Sequence, residues 1–131
     1  MLADFGLQVA LDTICQQLAS PALRWHCHVE LAEGPAVPAV LQQAVYRLVQ
    51  GLAHNVALHA QATEATVEVD ALPEGLVVRI EDNGCGFDPA TVRQGLGLMT
   101  LHRYAAVLRG VVRMESAPGL GTQILVRWPW P

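Results

Sequence analysis

Asn55 lies in the segment Gln50-Gly51-Leu52-Ala53-His54-Asn55-Val56-Ala57-Leu58-His59-Ala60. An uncharged amide oxygen of this kind can ligate a hard cation such as Mg2+, which in turn bridges phosphate oxygens. A second cluster, Asp82-Asn83-Gly84-Cys85-Gly86-Phe87, follows an apolar run. A carboxylate at a strand end can accept a hydrogen bond from the exocyclic amine of adenine, where guanine presents a carbonyl, and glycines let backbone approach a flat ring. The third cluster is Gly95-Leu96-Gly97-Leu98. Glycine at a helix start exposes unpaired N–H groups that bind phosphate oxygens. The fourth, Gly119-Leu120-Gly121-Thr122, offers a hydroxyl beside a residue without side-chain bulk. Taken singly, each also fits an ordinary role: an exposed helix residue, an Asp-Asn-Gly turn, a glycine hinge and a turn between strands. Their order along the chain is what makes them informative.

Such groups need elements to bring them together. Leu7, Ala10, Leu11, Ile14 and Leu18 have helical spacing over residues 4–18, and Ser20-Pro21 closes that helix. Residues 23–31 alternate, with Trp25, Cys27, Val29 and Leu31 on one face of a half-buried strand. After a turn at Gly34-Pro35, Pro38 opens a long helix whose stripe is Leu41, Val45, Leu48, Leu52 and Val56. Strands follow over residues 65–71 and 75–81, joined by Leu72-Pro73-Glu74. A glycine-broken loop from Asp82 to Gly97 precedes a third helix over 98–108, which Gly110 stops. Strands over 111–116 and 122–128 complete the chain. The expected fold class is α/β (α+β): a two-layer sandwich with about three helices on one face of a mixed sheet, in one domain over 1–131.

The balance of eight Lys+Arg against twelve Asp+Glu gives a formal charge of -4, which argues against general binding to nucleic acid or direct contact with an anionic membrane. Cys15, Cys27 and Cys85 are odd in number and unpaired in spacing, so a reducing, cytoplasmic setting is the simpler reading. His26 and His28 have the spacing of two strand ligands for a metal, without an evident third.

In order and spacing the four clusters resemble the N, G1, G2 and closing boxes of the Bergerat ATP-binding fold. Tyr46-Arg47-Leu48-Val49-Gln50, Asn55 with His59-Ala60, Gly95-Leu96-Gly97-Leu98-Met99 and Gly121-Thr122 are similar to the ATP-binding domains of two-component sensor histidine kinases, in the branch acting on LuxR-type response regulators. The resemblance implies ATP and Mg2+ as ligands. It implies Asn55 as the Mg2+ ligand, His59 beside the nucleotide as a second catalytic position, and Asp82 as the adenine reader. Gly84 and Gly86 would floor the base pocket, Gly95, Leu96, Gly97 and Leu98 would meet the phosphates, and Thr122 would support Asp82. Residues 88–94 would form a short lid. The implied reaction passes the γ-phosphoryl of ATP to a histidine on a separate dimerisation domain, with a response regulator downstream. The implied location is cytoplasmic, including as part of a membrane-anchored sensor.

Two positions depart from the family pattern. Related kinases usually carry Glu four residues before the Asn, where this chain has Gly51, and a cation three residues after it, where this chain has Leu58. Positions 51 and 55 share a helix face, so the missing carboxylate would have pointed toward the transferred phosphoryl. Two further readings therefore stand beside the kinase: a non-catalytic, nucleotide-responsive module, and a serine kinase that binds a sigma factor.

Overall fold

The computed structural model describes residues 4–32, 34–86 and 96–131, with Asp4, Phe5, residues 96–98 and Thr100 described at the backbone only. The elements in chain order are α1 (Asp4–Leu18), β1 (Arg24–Glu30), α2 (Ala39–His59), β2 (Glu64–Ala71), β3 (Gly75–Asp82), α3 (Leu96–Ala105), β4 (Val111–Ser116) and β5 (Thr122–Pro129). The five strands form one sheet in the order β1-β2-β3-β5-β4. β1 and β2 are parallel, as a strand–helix–strand crossover through α2 requires, and the remaining pairs are antiparallel.

Period-two burial sets the two faces. Ala65, Val67, Val69 and Ala71 of β2, Leu76, Val78 and Ile80 of β3, and Ile124, Val126 and Trp128 of β5 are buried beneath the helices. From above, α1 contributes Leu7, Leu11 and Ile14, α2 Leu41, Val45, Leu48 and Leu52, and α3 Leu101 and Ala105 to one core, while Val56 packs with Leu23 and Ala65 in a smaller cluster. Trp25, Cys27 and Val29 of β1 pack against this core while His26 and His28 are exposed on the opposite face. His26 Nε2 lies 3.8 Å from a Glu64 carboxylate oxygen. Among the described residues no three His, Cys, Asp or Glu side chains gather to hold a metal. On that open face Arg79 pairs with Glu68 at 2.5 Å and also with Glu81.

The long helix and the strands form where periodicity expects them. The third helix differs. It begins at Leu96, two residues early, and its α turn ends at Ala105; a 3-10 segment follows over Val107–Arg109. The reversal uses left-handed backbone at Leu108 (φ 52°) and Arg109 (φ 64°), whereas Gly110 is extended (φ -64°, ψ 145°). Gly110 is thus not a left-handed cap. A Cβ there would stand 2.2 Å from the Ala105 carbonyl and 2.5 Å from Trp128 Nε1, so close approach to the core tryptophan is what calls for glycine.

Candidate functional site

At one end of the sheet, Ala65 pairs with Asp82, Asp82 with Thr122, and Thr122 with Ser116. These side chains form a row on the helix-covered face, because strand alternation gives Asp82 the same side as Ile80 and Thr122 the same side as Ile124. Asp82, the last residue of β3, is 8% exposed. Its Oδ1 accepts the Gly84 N–H at 2.8 Å. Burial holds its carboxyl above the usual carboxylate range, opposed by the Gly84 N–H and assisted by the nearby Glu81 charge. A carboxylate kept in a poorly hydrated place is one whose acceptor strength is available to a ligand.

In the loop after Asp82 the two glycine positions are packed too tightly for a side chain. A Cβ on Gly84 would stand 2.2 Å from the Ala60 carbonyl, and one on Gly86 (φ 63°) 2.1 Å from the Ala117 carbonyl. Gly121 (φ 78°) closes the other side, where a Cβ would meet the Asp82 carbonyl at 2.3 Å. Backbone bonds complete the enclosure: Cys85 N–H donates to Ala60 O at 2.7 Å, and Gly119 N–H to Cys85 O at 2.6 Å. Thr122 Oγ1 bonds Ser116 Oγ at 2.8 Å, and Ser116 Oγ donates to Gly121 O at 3.1 Å. A depression of about 350 Å³ opens here, lined by Asp82, Ser116, Ala117, Leu120, Gly121 and Thr122 together with Glu81, Glu115 and Gln123 of the strand ends.

Asn55 and His59 are exposed near the C-terminal end of α2 and do not line that depression. Asn55 precedes Ala60 by five residues, about 7.5 Å of helix axis, and Ala60 is the residue that meets the Asp82 loop. The Cys85 thiol also approaches the His59 carbonyl, at 3.8 Å. The α2 exit and the Asp82 loop therefore occupy the same end of the molecule. Gly51 lies one turn before Asn55, half-buried, and Leu58 is 63% exposed on the same helix. Gly97 and Leu98 fall in the first turn of α3, where backbone N–H groups lack intrahelical partners. Gly95 and residues 88–94 lie outside the described residues, as do the side chains of Leu96 and Leu98.

Three contributors were not singled out by motif. Ser116 braces Thr122, the Ala60 carbonyl anchors the loop, and the Asn83 side chain bridges to Thr63 and Glu64. Asn83 and Ala60 stood within the quoted clusters, as part of a turn-forming Asp-Asn-Gly and beside His59, but neither was given a role there.

Comparison with known proteins adds the family. Over 90 residues the chain is 31% identical to the signal transduction histidine-protein kinase/phosphatase DegS of Bacillus subtilis, covering 66% of this chain and 23% of that protein. Over 94 residues it is 32% identical to the sensor protein VraS of Staphylococcus saprophyticus, covering 71% and 27%. The chain thus spans about a quarter of the length of these relatives. Among solved structures, the histidine kinase domain of the blue-light activated histidine kinase of Erythrobacter litoralis superposes with a TM-score of 0.74 over 96% of this chain and 60% of that one, at 19% identity, a likeness of fold. The model of the family described as Histidine kinase-, DNA gyrase B-, and HSP90-like ATPase matches residues 40–131, from the second residue of α2 onward. By that match, this chain belongs to that family of ATP-binding domains, and the curated relatives it resembles are sensor kinases.

Proposed function

We propose that residues 1–131 form one catalytic domain that binds Mg-ATP and delivers its γ-phosphoryl group to a histidine on a separate dimerisation domain. The observation that carries the reading is Asp82: a buried carboxylate with one oxygen held by the Gly84 N–H, on a loop joined to the exit of the helix that bears Asn55. Asp82 accepts the exocyclic amine of adenine, and Thr122 shares its strand-end row. Gly84 and Gly86 keep the floor of the base pocket at backbone height. Asn55 supplies an amide oxygen for Mg2+, and His59 stands one turn further along the helix. The first-turn N–H groups of α3 at Gly97 and Leu98 bind phosphate oxygens, a role that the family resemblance extends to Gly95 and Leu96. When bound, ATP supplies the phosphoryl group and Mg2+ offsets its charge; the chain's own work is positioning.

By the resemblance of its motifs, this domain works in the cytoplasm, including as part of a membrane-anchored sensor, with a response regulator of the LuxR type. No helix among the described residues is long and apolar enough to cross a membrane. A second reading has specific support. Gly51 and Leu58 remove a carboxylate and a cation from the phosphate end, which favours a nucleotide-responsive module whose output is a change of shape.

Titration of the chain with ADP and ATP, with and without Mg2+, tests the shared premise. Dissociation constants in the micromolar to sub-millimolar range, strengthened by Mg2+, are expected. No binding at millimolar nucleotide removes both readings. Labelled ATP with a cognate dimerisation domain then separates them: phosphohistidine formation marks the kinase, and tight binding without transfer marks the module.

A further inference from the structure

Asn83 follows Asp82 directly and is exposed, yet its side-chain amide is engaged on both ends. Oδ1 accepts the Thr63 N–H at 2.9 Å and the Glu64 N–H at 3.0 Å, and Nδ2 donates to Thr63 Oγ1 at 2.8 Å. Its own N–H donates to Glu64 O at 3.2 Å. An Asn in a turn ordinarily bonds its local backbone. Here every one of these bonds reaches 19 or 20 residues back along the chain.

The segment gripped is the route from α2 to β2. It leaves the helix at Ala60, passes through a left-handed Gln61 (φ 54°) and enters β2 at Glu64. Cys85 N–H fastens the start of that route at Ala60 and Asn83 fastens its end at Thr63 and Glu64. Thr63 O also takes the Arg24 N–H at 2.9 Å, so the grip extends to β1. Between the two fastenings, Gly84 runs against Ala60 with no room for a side chain. The backbone carrying Asp82 and the helix carrying Asn55 are therefore fixed to one another across a short, doubly held connection.

Resting on the nucleotide reading above, we infer that Asn83 is a positioning residue: it sets the spacing between the base-reading carboxylate of Asp82 and the metal-ligating amide of Asn55, so that one nucleotide reaches both. Asn83 then governs spacing and not the fold alone. A ligand that uses both ends of the site must feel the loss of Asn83 more than a ligand that uses only the base end.

The test compares MgADP and adenosine binding by calorimetry, with thermal melting in parallel, on the unaltered chain and four variants. Asn83→Ala is expected to weaken MgADP about tenfold or more and adenosine by less than about threefold, because misplacement of about an ångström is felt chiefly where two ends must be met at once. Thr63→Val, which removes the hydroxyl partner, should weaken MgADP about threefold, and Thr63→Ser should bring it back to within about twofold. Trp130→Phe removes the Trp130 Nε1 bond to Leu72 O at the far end of the sheet and is the stability control. It should lower the melting temperature while leaving MgADP affinity within about twofold.

An Asn83→Ala chain that binds MgADP as the unaltered chain does overturns the inference. So does an equal loss for adenosine, or a Trp130→Phe variant that weakens MgADP as much. Where Asn83→Ala does not fold, the Thr63 pair decides, and equal affinities of Val and Ser variants count against the spacing role. An unaltered chain that binds no nucleotide is a different failure, read before any variant, and it removes the nucleotide reading together with this one.

Discussion

Asp82 is asked to be both buried and charged, and the two demands oppose each other. Its carboxyl is held above the ordinary range chiefly by burial, so the folded chain takes up a proton more readily than the unfolded one. Stability from this group is therefore greatest at low pH and falls as pH rises from the ordinary carboxylate range, about 4, through the raised folded value. Asp82→Asn keeps an acceptor for the Gly84 N–H and removes the charge. It is expected to raise the melting temperature of the nucleotide-free chain at neutral pH by about 2–5 °C, while weakening ADP at least about tenfold. The stability gap should close toward pH 4; melting curves with a gap that is constant in pH, or reversed, would contradict this account. At this scale the sequence singled out Asp82, Gly84 and Gly86, and the structure buries Asp82 and presses both glycines against backbone carbonyls. Asn83 was legible only as turn chemistry, since nothing in the string Asp-Asn-Gly says that its amide reaches back to Thr63.

At the scale of elements, α2 does two things at once, spanning the core and delivering Asn55 and His59 to the end where the Asp82 loop sits. Its expected stripe of Leu41, Val45, Leu48, Leu52 and Val56 is buried throughout, but Gln42, Ala44, Val49 and Ala53 are buried as well. The burial is wider than one stripe because α1 and α3 flank the helix on either side. Gly51 interrupts this 21-residue helix at a cost of roughly 1 kcal/mol relative to Ala. Gly51→Ala should move the urea midpoint upward by about 0.5–1 kcal/mol of stability with an unchanged slope. Gly51→Glu should instead raise phosphotransfer to the dimerisation domain by more than it changes ATP affinity, and a rate equal to that of the unaltered chain would count against the role given to this position. The end of α3 escaped periodicity for a physical reason. Val107 and Leu108 continue an apolar run that reads as helix, and only the approach of Gly110 to Trp128, which is a tertiary contact, turns the chain at Ala105.

For the whole molecule, the two layers and their faces follow from alternation and helical spacing. The strand order does not. Nothing in the local pattern states that β5 inserts between β3 and β4, or that β1 lies parallel at the edge, because those pairings join residues far apart in sequence. The topology nonetheless separates the chain into two ends. The Asp82 loop, the α2 exit and Gly121-Thr122 share one, whereas the exposed turn at Leu72, Pro73 and Glu74, closed by the Leu72–Gly75 backbone bonds, lies at the other. Seven residue steps of β3 put about 24 Å between that turn and Asp82. A consequence follows for measurement: Glu74 is an attachment point for a fluorescent reporter that senses the molecule without disturbing its ligand. A dye or short peptide placed there should leave ADP affinity within about twofold, whereas the same group at Leu120, 82% exposed beside the depression, should alter it. Equal effects at the two positions would mean that the ends of the sheet are coupled, and that the turn is no bystander to what happens at Asp82.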